Sequence, residues 1–214
     1  MRLNDLIGRW VRPIFVVGGI VPLLLLVARL LQDDLGANPA EALEHSTGFT
    51  ALWFLLSSLC ATPLRKLTGL AAFTRLRKPL GLWAFFYALV HLSCYLVFDQ
   101  SLLFGEIWYD IRKRPYITVG FSAFLILLTL AVTSPNRVMR WLGGKRWQAI
   151  HRMVYVAAVL GVLHFLWLVK RDVSRPVIAG VVLLALLVLR LPQVWRRKAP
   201  AGPETSTDAP SLAS

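Results

Sequence analysis

The sequence predicts an all-α, polytopic membrane protein of six transmembrane helices with both termini in the cytoplasm, and three observations carry that prediction. The 214 residues are 57% hydrophobic with a mean hydropathy of +0.60, and only 16% are charged, too few for a soluble surface. Six apolar runs separate cleanly: 14–31, 49–61, 80–98, 117–133, 149–169 and 176–191. Lys and Arg concentrate in alternate connections, sixteen on one side against six on the other.

Taken in order, the first run follows Arg2, Arg9 and Arg12 like a signal peptide. It is longer than a signal core of about 7 to 15 residues and no small-x-small cleavage site follows "LLQDD", so it reads as a retained helix. The second run is short and reaches membrane length when counted from Leu43, since about 20 residues are needed to cross. The third is expected to start at Pro79, a good first helical position after the basic "RLRK". The loop before the fourth run, "DQSLLFGEIWYDIRKRPY", is aromatic enough to lie against the membrane surface. The fifth begins near Trp147, and the sixth, "PVIAGVVLLALLVLRL", has no polar face, which excludes a soluble helical bundle. Residues 1–198 thus form one domain, and the Pro-, Ser- and Thr-rich stretch 199–214 is expected to be a disordered cytoplasmic tail.

Basic residues stay on the cytoplasmic side, so the net charge of +13 is a topology signal and does not indicate nucleic-acid binding. The outer loops hold eight of the eleven acids, and most of the eight tryptophans fall near helix ends, where interfacial anchors sit. Arg29 and Arg190 near helix ends are expected to snorkel to the interface. Cys60 and Cys94 lie in separate helices without CxxC spacing, which supports small packing residues and no disulfide or iron–sulfur site. No glycine-rich nucleotide fingerprint occurs, so any redox chemistry needs a reductant from elsewhere.

The histidines carry the chemistry. His91 lies about 18 Å along the third helix, and His164 about 25 Å along the fifth, at 1.5 Å per residue. Two imidazoles at similar depth in the outer half of parallel-running helices suit a haem held on both faces, the alternative being core histidines bonded to carbonyls. With both axial positions filled by protein, the expected chemistry is electron transfer. His151 is about 140° from His164 around an ideal helix, so it marks a second haem on a distorted helix or a separate inner cofactor site. A second haem would need a partner ligand near Arg77 and Lys78, where no histidine stands. Arg77, Lys78, Arg140, Lys145, Arg146 and Arg152 form a basic rim that suits haem propionates or a flavin phosphate, or is plain positive-inside charge. Glu44 and His45 are an outer-mouth proton or quinone site, or a solvated loop. A histidine-containing transporter or proton channel is the reading from a different class.

The segments "NPAEALEHSTG", "RKPLGLWAFFYALVHLSCYLVFDQ" and "TSPNRVMRWLGGKRWQAIHRMVYVAAVLGVLHFLWLVKRD" closely resemble the MsrQ family (also called YedZ) of haem-binding membrane subunits, over about residues 1–198. More broadly the layout is similar to the ferric reductase transmembrane domain. The resemblance implies a bacterial inner-membrane electron-transfer subunit, not itself the catalytic subunit, carrying haem b and FMN. It implies a periplasmic molybdenum partner, MsrP, that reduces methionine sulfoxide in oxidised envelope proteins. Electrons would come from membrane quinol or a cytoplasmic flavin reductase. His91 and His164 match the outer haem ligands, while His151 matches an inner ligand whose usual partner on the third helix is missing. A stand-alone ferric or cupric reductase is the alternative within the same superfamily.

Overall fold

The computed structural model describes residues 13–169 and 172–190, and among these the ordered elements are all helical. They are α1 (Pro13–Leu31), α2 (Pro39–Thr68), α3 (Ala72–Cys94, continued by a π-helical turn Tyr95–Asp99), α4 (Phe104–Lys113) and α5 (Pro115–Val132). α6 (Asn136–Leu142), α7 (Gly144–His151), α8 (Val154–Leu168) and α9 (Ser174–Val188) follow. Five helices, with α7 and α8 counted as one span, are long and apolar enough to cross a membrane. The sixth run gives α9, whose 15 described residues fall short of the usual crossing length of about 20. Arg2, Arg9, Arg12 and the predicted tail 199–214 lie outside the described residues.

Several expected boundaries are corrected. α2 is 30 residues long and begins at Pro39, because the Asn38 side chain accepts from the Glu41 N–H at 3.3 Å and proline needs no donor at the first position. α3 begins at Ala72, with Pro79 inside it, so the loop expected over 62–79 shrinks to 69–71. Apolarity marks only the lipid-crossing part of a helix, whereas backbone hydrogen bonding continues into water as far as a stop signal. Here that signal is Gly69, at φ 72°, which caps α2 through its N–H to the Arg65 carbonyl. The loop before α5 contains an amphipathic helix, α4, consistent with the surface-lying segment read from its aromatics.

α2 packs antiparallel on α3 and α5 on α8, and the two pairs meet around Leu55, Leu56, Leu59, Ala84, Ala157, Ala158 and Ala179. Three of these alanines, Ala84, Ala158 and Ala179, are fully buried, and side chains this small let helix axes come close where apolar burial gives no net drive in lipid. The outward faces carry exposed Leu125, Val156, Val181 and Leu184, as a lipid-facing surface does.

Two tethers fix the remaining helices. The Tyr87 hydroxyl donates to the Gly19 carbonyl at 2.8 Å and accepts from the Leu23 N–H at 2.9 Å. It therefore stands inside one rung of the α1 ladder, which explains the turn at 19–20. Gly19 leaves room there, since an added Cβ would run into the Trp83 ring. At the other side, Pro63 leaves the Leu59 carbonyl without its helical donor, and Arg190 at the end of α9 supplies one at 2.5 Å while also donating to the Tyr155 hydroxyl. Arg190 thus turns inward instead of snorkelling, because an orphaned buried carbonyl costs more than a lost contact with interfacial water. Arg29 stays at the surface, paired with Asp34 at 3.0 Å.

Candidate functional site

α2, α3, α5 and α8 enclose a cavity of about 260 Å³ that runs from Leu55, Leu127 and Ala157 in the bundle centre to Glu44, Asp99 and Arg114 at one mouth. His91 and His164 face each other across it, with ring centres 6.1 Å apart and planes inclined by 72°. The rings are tied in the same way. His91 Nδ1 is 3.0 Å from the Glu44 carbonyl, and His164 Nδ1 is 2.7 Å from the Tyr116 carbonyl. Each Nδ1 must therefore carry the proton and donate, which leaves each Nε2 with a free lone pair and, among the described residues, no hydrogen-bond partner.

That donor set fits one metal ligated from both sides. A metal–imidazole bond is about 2.0 to 2.1 Å, and the ring centre lies about 1.1 Å behind the nitrogen, so two axial imidazoles need centres about 6 Å apart. Carbonyl-anchored Nδ1 groups are the usual outer support of such ligands, since they fix the tautomer and raise basicity. The walls between and beyond the rings are apolar, with Phe49, Phe121, Phe124, Phe165 and Leu92 among them. No group of three or more His, Cys, Asp or Glu suited to a bare metal ion occurs among the described residues.

Two glycines press on the histidines from behind. A Cβ on Gly48 would lie 3.1 Å from His91 Cε1 and Nδ1, and one on Gly120 would lie 2.7 Å from His164 Nδ1 and 2.8 Å from Cε1. The sequence reading missed both, along with the Tyr116 carbonyl. "HSTG" and "VGFS" show that glycines are present, but the rings they touch belong to other helices.

The other expected residues are placed as follows. Glu44 and His45 both line the mouth, and the Glu44 carboxyl lies beside Asp99 with Oε1 buried and unpartnered among the described residues. His151 is at the opposite end of the bundle, stacked on Trp147 with ring centres 4.0 Å apart and with Nε2 3.2 Å from the Thr133 hydroxyl. Trp147 Nε1 in turn donates to the Thr133 carbonyl at 2.9 Å. The helix is indeed distorted after His151, where Arg152, Met153 and Tyr155 bond three residues back. No second histidine is brought to it among the described residues. Arg77 lies near His151, Tyr155 and Arg190, and Lys78 Nζ donates to the Ser134 carbonyl at 2.8 Å. Arg140, Lys145, Arg146 and Arg152 are exposed around that end. Cys60 and Cys94 are both free.

The family described as "Ferric reductase like transmembrane component" matches residues 47–162, a stretch that contains His91 and ends two residues before His164. Relatives named "Protein-methionine-sulfoxide reductase heme-binding subunit MsrQ" match most of the chain. The Rhodospirillum rubrum protein is 50% identical over 188 residues, 87% of this chain and 90% of its own length. The one from Herminiimonas arsenicoxydans is 43% identical over 88% of this chain and 87% of its own. That of Deinococcus radiodurans is 45% identical over 90% and 95%. Together with five apolar spans and a two-histidine cavity, these matches make the chain a membrane protein that belongs to the MsrQ family of ferric reductase-like transmembrane components.

Proposed function

We propose that the protein is a b-type haem electron-transfer subunit of the inner membrane that delivers electrons to a periplasmic molybdenum-containing MsrP, which reduces methionine sulfoxide in envelope proteins. The observation that carries this reading is the His91–His164 pair, at ligating separation in the lining of a largely apolar cavity, with both Nδ1 groups tied to carbonyls and neither Nε2 hydrogen-bonded among the described residues. The heme-binding subunit name of its relatives supports the same cofactor. A haem held there supplies one-electron redox chemistry.

The chain's own residues do the rest. His91 and His164 would hold the group through their Nε2 atoms, and electron transfer is the chemistry it would supply there. The aromatic walls exclude water, and the Glu44 and Tyr116 carbonyls keep the rings oriented. Six membrane crossings with cytoplasmic termini complete the proposal, supported by sixteen basic residues on the inner side against six on the outer. The paired histidines then lie toward the periplasm, on the side of the proposed partner. His151, Arg77, Lys78 and the exposed Arg140, Lys145, Arg146 and Arg152 form the inner side. There FMN, and electrons from quinol or a cytoplasmic flavin reductase, would enter. Glu44 and His45 are placed to handle protons or a quinone at the outer mouth.

The test is a reduced-minus-oxidised visible spectrum of the purified protein with haem and flavin quantified, beside His91→Ala, His164→Ala and His151→Ala. A b-type spectrum lost in the first two and kept in the third is expected. Colourless protein from a haem-replete host would overturn the reading.

A further inference from the structure

We infer that Asp110 is a positioning residue that braces the two ligand-bearing sides of the cavity to one another through α4. Asp110 is 5% exposed, an unusual depth for a carboxylate on a surface helix. Its partners come from both sides of the cavity. Tyr95, four residues after His91, donates from its hydroxyl to Oδ2 at 3.2 Å, and Gln100 Nε2 donates to the same oxygen at 2.8 Å. Arg114 Nε pairs with Oδ1 at 3.3 Å. Arg114 stands two residues before Tyr116, the residue whose carbonyl holds His164, and also donates to the Tyr116 hydroxyl at 3.4 Å.

The same contacts close the cavity's mouth. Ile107, Ile111 and Arg114 line it, and with Asp110 they form one stripe of α4 at the i, i+3, i+4, i+7 spacing of a single helix face. Away from that stripe Trp108 is 59% and Tyr109 47% exposed, so α4 is held inward by the Asp110 cluster, those two isoleucines and the Thr118 hydroxyl, which donates to the Ile111 carbonyl. The π-helical turn Tyr95–Asp99 serves the same end. Tyr95 and Asp99 both line the cavity, and the turn is followed by Ser101 and Leu102 at φ 46° and 59°. The backbone there is turned sharply to bring Gln100 back to Asp110. Losing the carboxylate leaves a tyrosine, a glutamine and an arginine without their shared acceptor. α4 would then lift, and the Tyr116 carbonyl would lose one of its supports.

This inference rests on the proposed haem site, and the test separates the two. The full-length protein in nanodiscs, wild type beside Asp110→Ala, Asp110→Asn and Tyr95→Phe, is measured by amide hydrogen exchange, by electron paramagnetic resonance of the oxidised form and by its reduction rate with dithionite. Exchange over 104–113 is expected to quicken about tenfold or more in Asp110→Ala and less in the other two, with the rest of the bundle unchanged. The low-spin resonance, which reports the angle between the imidazole planes, shifts and the reduction by the small anion quickens in the same order. Unchanged exchange over 104–113 in all three variants overturns the brace. So does faster exchange with an unmoved resonance and reduction rate, or faster exchange spread through every helix. Absence of haem from the wild type sinks the haem reading alone, since exchange still reports on α4.

Discussion

Replacing Gly120 with alanine should disturb the candidate haem site more than any other single methyl group added to its walls. The new Cβ would stand 2.7 Å from His164 Nδ1, 2.8 Å from Cε1 and 3.1 Å from Cγ, against an ordinary contact of about 3.5 Å, so the ring must retreat by several tenths of an ångström. Metal–ligand distances tolerate only about 0.2 Å, and the retreat also strains the 2.7 Å bond to the Tyr116 carbonyl. Disturbing such an outer support typically lowers metal affinity about 10- to 100-fold, or about 1.4 to 2.7 kcal/mol. Gly48→Ala, whose Cβ would be 3.1 Å from His91, should cost less. Gly81→Ala meets nothing and should be silent or slightly stabilising, while Gly161→Ala, in the cavity wall, meets only Leu52 at an ordinary 3.5 Å and should cost less than Gly120→Ala. The assay is the haem-to-protein ratio and visible spectrum of the four purified variants after titration with a competing haem scavenger. Full haem retention in Gly120→Ala, or a larger loss in Gly48→Ala than in Gly120→Ala, would refute the reasoning.

Tyr87→Phe removes both bonds to the Gly19–Leu23 rung and should lower stability by about 1 to 3 kcal/mol, read as a lower unfolding midpoint with α1 the first helix to lose exchange protection. Arg190→Ala leaves the Leu59 carbonyl unpaired, so it should destabilise clearly in the wild type. It should cost less in a Pro63→Ala background, where the residue at 63 regains an N–H, and a double-mutant cycle on thermal unfolding measures that coupling. Thr133→Val removes the partner of His151 Nε2 at the opposite end of the bundle and should leave the b-type spectrum unchanged. A spectral change there would join the two ends into one site.

Much of the site is legible in the sequence because its elements are local. The apolar runs, the placement of lysines and arginines and the depth of His91 and His164 all follow from residue type and a rise of 1.5 Å per residue. Helix ends were harder to read. Asn38, Pro39 and Glu41 form a capping pattern that hydropathy overlooked, and α3 runs through Pro79 because a helix can leave the membrane without ending.

What the sequence by itself determined is which stretches enter lipid and which polar groups they carry with them, since the cost of a charge or an imidazole in hydrocarbon belongs to the residue and needs no partner to state it. What only the tertiary structure decided is what those groups meet. Gly120 lies behind His164, Tyr116 offers its carbonyl, Arg190 answers the acceptor that Pro63 orphans, and Asp110 joins residues from α3, α4 and the start of α5. These are contacts between helices distant in sequence. They depend on rotation and crossing of packed helices, which buried small residues such as Ala84, Ala158 and Ala179 set by how close two backbones can come.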